Sequence, residues 1–131
     1  MEYIKIYNLF ISTFTMELVA LLSSDNGTWA QVAGLIRKGD WDNILLIGDD
    51  SVSKLEVSQP HEFIKVNLNG KITEVKEEIL KKLKGKIKGT EVALSIASGS
   101  GKEHMAVISS LLSVPVGIRF SVLTRDGIIY L

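Results

Sequence analysis

The chain has no cysteine, which excludes a disulfide framework, a thiolate nucleophile and a zinc–cysteine centre, and makes a reducing cytoplasm its simplest setting. Its two histidines, His61 and His104, stand far apart in sequence, so a metal centre is not expected. No cofactor is called for. Charge of one sign is also lacking: 15 basic residues balance 15 acidic ones, which argues against a protein that wraps duplex nucleic acid through many phosphate contacts. Any anion site has to be local. No apolar run approaches the ~20 residues of a membrane-spanning helix, so no membrane partner is expected. Proline occurs only at Pro60 and Pro115, each of which reads as a break between elements.

At 131 residues the chain is long enough to fold alone without staples. Its first fifteen residues need separate treatment. The stretch Ile4-Lys5-Ile6-Tyr7-Asn8-Leu9-Phe10-Ile11 is apolar but lacks the basic start and small-residue cleavage site of a secretion signal. Residues 1–15 are either a strand added to a sheet edge or dimer surface, or an extension upstream of a domain that begins at Met16. The second reading is favoured because a complete α/β pattern starts at Glu17, so that residues 16–131 form one domain.

Glu17 to Ser24 is a continuous apolar run closed by polar residues, as in a strand buried on both faces of a parallel sheet. Asp25-Asn26-Gly27 is turn chemistry. Thr28 is placed to N-cap a helix through Lys38, with Trp29, Val32, Ala33 and Ile36 at helical spacing and Gly39 closing it. Asn43 to Gly48 is the second buried strand, followed by Asp49-Asp50 and a short helical turn over 51–55. Phe63 to Leu68 is the third strand. Asn69-Gly70 would signal a hairpin before another strand, but Ile72, Val75, Ile79, Leu80 and Leu83 recur at helical spacing, so a loop and a helix follow. A fourth strand runs from Val92 to Ile96. Met105, Val107, Ile108, Leu111 and Leu112 supply the core side of the next helix, and Pro115 stops it. Gly117 to Leu123 is the fifth strand, reversed at Arg125-Asp126-Gly127 into a closing antiparallel strand.

The most informative stretch lies between the fourth strand and its helix: Ala97-Ser98-Gly99-Ser100-Gly101-Lys102. Gly99 and Gly101 permit backbone angles closed to other residues and close approach of a ligand, while Ser98 and Ser100 can cap the helix starting near Lys102 or Glu103. A helix start beside a lysine is an anion site. Glycine-rich turn geometry alone explains many such loops. A P-loop is excluded by residue identity, since its first glycine would be Ile96 and its magnesium-binding hydroxyl Glu103. The dinucleotide fingerprint is excluded because its third glycine would be His104.

Strands alternating with crossover helices predict an α/β, Rossmann-like, mostly parallel sheet with helices on both faces and a C-terminal antiparallel hairpin. Ligands of such sheets bind beyond the carboxyl ends of the strands, where the strand order switches. That edge collects Ser23, Ser24, Asp25 and Asn26 after the first strand, Gly48 and Asp49 after the second, and Ser98, Gly99, Ser100, Gly101, Lys102 and His104 after the fourth. His104 there acts as a ligand contact, an acid or base, or simply a cap. Asp49 and Asp50 read as turn and cap residues rather than as a metal site.

A first strand ending in small polar residues, a second closing with Ile47-Gly48-Asp49, a fourth leading into the glycine-serine-lysine loop, and a terminal hairpin resemble the CRISPR-associated Rossmann fold (CARF) domains over residues 17–131. The resemblance implies a cyclic oligoadenylate ligand bound across a homodimer. Its contacts would come from Ser23, Ser24, Asp25 and Asn26, and from Ser98, Gly99, Ser100, Gly101 and Lys102. Some family members also cleave the bound ring with the ligand's own 2′-hydroxyl. Here such cleavage would be metal-independent: Lys102 and the backbone N–H groups of 98–101 would stabilise charge on the phosphoryl oxygens, and Ser24 or Asn26 would orient the sugar. The competing reading is a non-enzymatic structural or interaction domain in which the loop is only a turn.

Overall fold

Two unbroken apolar runs become inner strands of one sheet: β1 (Glu17–Leu22), buried at every residue, and β2 (Asn43–Gly48). The computed structural model describes residues 16–23 and 28–131, and the expectations for residues 1–15, Ser24, Asp25 and Asn26 lie outside them. The chain continues through α1 (Trp29–Lys38), β2, a 3-10 turn (Asp50–Lys54), β3 (Glu62–Lys65), α2 (Ile72–Leu83), β4 (Glu91–Ser95), α3 (Gly101–Ser113), β5 (Gly117–Thr124) and β6 (Gly127–Tyr130). The six strands lie in the order β3-β2-β1-β4-β5-β6. All pairs are parallel except β5 with β6. This is a Rossmann-like α/β sheet with a C-terminal antiparallel hairpin.

Alternation along the strands divides the core in two. Val19, Leu21, Leu45, Ile47 and Leu94 pack with α2 and α3 on one face. Leu18, Ala20, Leu22, Ile44 and Leu46 pack with α1 and Val52 on the other. Being covered on both sides is what keeps β1 and β2 free of polar interruptions. The exceptions are their first residues, Asn43 and Glu17, the latter only 2% exposed. Its carboxylate accepts the N–H of Lys88 at 2.9 Å, the N–H of Gly89 and the side-chain amide of Asn43 at 2.7 Å, which pins the α2–β4 connection to the amino-terminal edge of the sheet.

Several local expectations are corrected. Thr28 stands at the N-cap of α1 without a side-chain cap bond, and its Oγ1 is buried with no partner among the described residues. β3 ends at Lys65 rather than Leu68, because Asn67 N–H bonds to Glu78 and Asn69 N–H to the Asn67 side chain, drawing the backbone away from β2. On α3 the buried stripe is Ala106, Val107, Ser110 and Leu111. Met105 and Leu112 point outward, and Ile72 of α2 is also exposed. In the β5–β6 reversal only Gly127 takes a positive φ, of 105°, so Arg125 and Asp126 form the turn and the glycine follows it. Among the described residues no helix is long and apolar enough to cross a membrane.

Candidate functional site

The strand order reverses between β1 and β4, because the chain leaves β1 toward β2 and leaves β4 toward β5. Beyond their carboxyl ends is the place where a sheet of this kind opens to ligands. Here the two loops are tied at the base. Ser98 Oγ accepts the Ser23 N–H at 2.9 Å and lies 3.0 Å from Ser23 Oγ. Both serines are buried, and Ser98 does not cap α3 as the sequence suggested. Its hydroxyl is spent on joining the loops.

The rest of the 97–102 loop is shaped by its own groups. Ser100 caps α3 by accepting the Glu103 N–H at 3.3 Å, and the Glu103 carboxylate accepts the Ser100 N–H at 2.8 Å, a reciprocal capping box. Gly99 takes φ +104°, and a Cβ there would meet Leu21 Cδ2 at 2.4 Å, so both conformation and space require glycine. Gly101 differs from the expectation. It has no positive φ, is the first residue of α3, and has nothing within 4 Å of a built Cβ.

His104 Nε2 donates to the Ser98 carbonyl at 2.8 Å, which places its proton on Nε2 and makes the ring a clamp on the loop. The Lys102 ammonium donates to the Gly70 carbonyl at 2.7 Å. It therefore reaches the loop after β3. The N–H groups of Gly101 and Lys102 have no partner among the described residues, as befits a helix start.

The opposite wall is built by residues the sequence reading did not single out for the site. Trp29 Nε1 donates to the Ser23 carbonyl at 2.9 Å. The Gln31 side chain donates to the Leu123 carbonyl at 3.2 Å and accepts the Leu123 N–H at 2.6 Å. The first turn of α1 thus spans from the end of β1 to the end of β5, and β4 lies between them in the sheet. Ser95 is the last residue of β4, in register with Ala20 and so on the α1 face. It is 1% exposed and its Oγ has no partner among the described residues. With Thr28 Oγ1, it makes two buried hydroxyls on this side that have no partner among the described residues. A serine closing an apolar strand was the only signal for Ser95 in the sequence.

Gly48 and Asp49 flank the site next to β1, since Gly48 is in register with Leu22. A Cβ on Gly48 would lie 1.8 Å from Val52 Cγ2 and 2.7 Å from the Leu22 carbonyl, so its role is to let the 3-10 turn close onto the sheet. Asp49 Oδ1 accepts the Ser51 hydroxyl at 2.6 Å and the Ser51 N–H at 2.9 Å. The Ser51 hydroxyl first, then the Ser51 N–H, hold the Asp49 carboxyl below the ordinary 3.8. Asp50 pairs with Lys65 at 2.6 Å on the surface. A polar pocket of about 640 Å³ opens here, with Asp49, Lys65, Asn67 and Asn69 in its wall. Among the described residues no group of three or more His, Asp or Glu side chains is placed to hold a metal ion.

The carboxyl edge thus brings together Ser23, Ser98, Gly99, Ser100, Gly101 and His104, sets Gly48 and Asp49 beside them, and sends the Lys102 side chain to the β3–α2 loop. Compared with known proteins, the chain matches no family model and no curated protein sequence.

Proposed function

We propose that this chain is a binding module for a nucleotide-like, phosphorylated ligand seated between the loops that follow β1 and β4. The observation that carries this reading is the set of hydrogen-bonding groups at this edge with no partner among the described residues: the N–H groups of Gly101 and Lys102 at the start of α3, and the hydroxyls of Thr28 and Ser95 on the α1 side. The N-termini of α1 and α3 approach the Ser23–Ser98 joint from opposite faces of the sheet, which suits a ligand with both anionic and polar parts. The CARF-like pattern of the sequence makes a cyclic oligoadenylate the first ligand to try, with a second copy of the chain completing the site.

Cleavage of such a ring would use the ligand's own 2′-hydroxyl as nucleophile. Lys102 would have to leave the Gly70 carbonyl to reach a phosphoryl oxygen. Calorimetric titration with cyclic tetra- and hexa-adenylate, AMP and ATP tests binding. The expected result is saturable heat with one of them, weakened about tenfold in Lys102→Ala, as for a charge-assisted contact. Incubation in chelator followed by product separation tells turnover from binding alone. Silence with every anion overturns the reading. It would favour an interaction domain, for which the internally satisfied Ser100–Glu103 pair and the Lys102–Gly70 contact already speak.

A further inference from the structure

At the opposite side of the sheet from the hairpin, β3 is the outermost strand among the described residues. Backbone groups along a strand alternate in direction. Val66 donates its N–H to Gly48 of β2 at 2.8 Å, so Phe63 and Lys65 turn their N–H and C=O groups outward. The Lys65 carbonyl accepts the Lys82 ammonium, which agrees with that direction. Between this edge and the end of α2 lies a groove of about 500 Å³ whose wall carries Lys65, Lys81, Lys82, Lys84 and Lys86 against one acid, Glu62.

Three of these lysines have a carboxylate: Lys65 with Asp50, Lys82 with Glu78, and Lys86 with Glu62. Lys81 and Lys84 are exposed with none among the described residues. In a chain of zero net charge this is a local positive field beside the Phe63 N–H and C=O and the Lys65 N–H, which have no backbone partner among the described residues. Lysines on an edge commonly discourage pairing with other edges, and two copies meeting here would bring like-charged rims together. An acidic strand meets the opposite situation: its main chain completes the ladder while its carboxylates neutralise the rim. Residues 1–15 hold one glutamate and one lysine and have no such complementarity.

We propose that the β3 edge is a docking site for an extended acidic peptide segment of a partner protein, added as a further strand with carboxylates at alternate positions toward Lys81 and Lys84. The probe is a fluorescent peptide of four Glu-Val repeats, titrated by anisotropy into the full chain. Expected are saturable binding, loss of it when prolines replace the central valines and remove strand N–H donors, and slower amide exchange at Phe63 and Lys65. Lys81→Glu with Lys84→Glu should weaken it about tenfold while leaving the melting temperature near that of the parent. No peptide binding, equal binding of the proline peptide or of a Lys-Val peptide, or tighter binding of a single-stranded oligonucleotide of matched charge each overturns the proposal. So does amide protection of Phe63 and Lys65 without peptide: a rise with protein concentration would assign the edge to a second copy, and constancy would assign it to residues 1–15.

Discussion

Ser23 and Ser98, 75 residues apart in the chain, meet hydroxyl to hydroxyl at 3.0 Å, both buried. The two are not equivalent, because Ser98 Oγ also accepts the Ser23 N–H. Ser98→Ala leaves a buried backbone donor unpaired and should cost about 1–3 kcal/mol, whereas Ser23→Ala removes one hydroxyl contact and should cost about 0.5–1.5 kcal/mol. Urea unfolding measures both. A larger loss for Ser23→Ala would contradict this assignment of donor and acceptor.

The two glycines of the same loop should respond oppositely to alanine. Gly99→Ala faces a positive φ and the Leu21 methyl, and should destabilise by about 2 kcal/mol or more. Gly101→Ala enters open space at the first position of α3, and should stabilise by about 0.4–1 kcal/mol by restricting the unfolded chain. Thermal melts of the pair decide the matter. Destabilisation of equal size would mean that α3 starts elsewhere.

Glu17 should be the most costly acid to remove. With alanine there, the N–H groups of Lys88 and Gly89 and the Asn43 amide lose a buried carboxylate, at about 3 kcal/mol or more. Glu17→Gln keeps one acceptor oxygen and should lose about half as much. Chemical denaturation of the two variants checks the order, and amide exchange at Lys88 and Gly89 should quicken in both.

Acid should weaken the 3-10 turn through Asp49. Its carboxyl is depressed in the folded protein by the Ser51 hydroxyl and N–H, so its contribution is complete above the unfolded-state value, near 3.8, and is lost as pH falls through the lower folded value. Between pH 5 and pH 2.5, Asp49→Asn should therefore lose less stability than the parent, with Ser51→Ala in between. Parallel pH profiles for parent and Asp49→Asn would refute the linkage.

On the other edge of the sheet, Ile129 and Tyr130 of β6 and Leu131 just after it are exposed apolar residues, and β6 is the outermost strand there among the described residues. Such an edge is usually covered, and the expected state in light scattering is a dimer. Ile129→Lys with Leu131→Lys should shift it to monomer at equal concentration. A monomeric parent at high concentration would remove the expectation.

The sequence reading and the structure agree where the signal is local. The apolar run Asn43–Gly48 and the helical spacing of Ile72–Leu83 are the bounds of β2 and α2, since chain neighbours alone determine the pattern. They part where a side chain's partner comes from another element. Ser98 reads as a cap until Ser23 is brought beside it, nothing near Lys102 in the chain announces Gly70 as its partner, and Glu17, rightly read as the start of a strand, gives no sign of the Lys88–Gly89 backbone that closes over it. Met105 and Leu112 mislead for a related reason: they are apolar, but the stripe through Val107 and Leu111 leaves them on the outer side of α3.

The pairing of β1 with both β2 and β4 also bears on how the chain is made. Leu18 and its β4 partner Ala93 are separated by a stretch whose synthesis takes on the order of ten seconds. During that interval the strand destined for the middle of the sheet has a bare flank of unpaired N–H and C=O groups, on a segment with apolar residues toward both faces. Nascent chains halted before β4 should therefore be the sticky species, held by chaperones or lost to aggregates. A ribosome-bound product that includes β4 should resist protease.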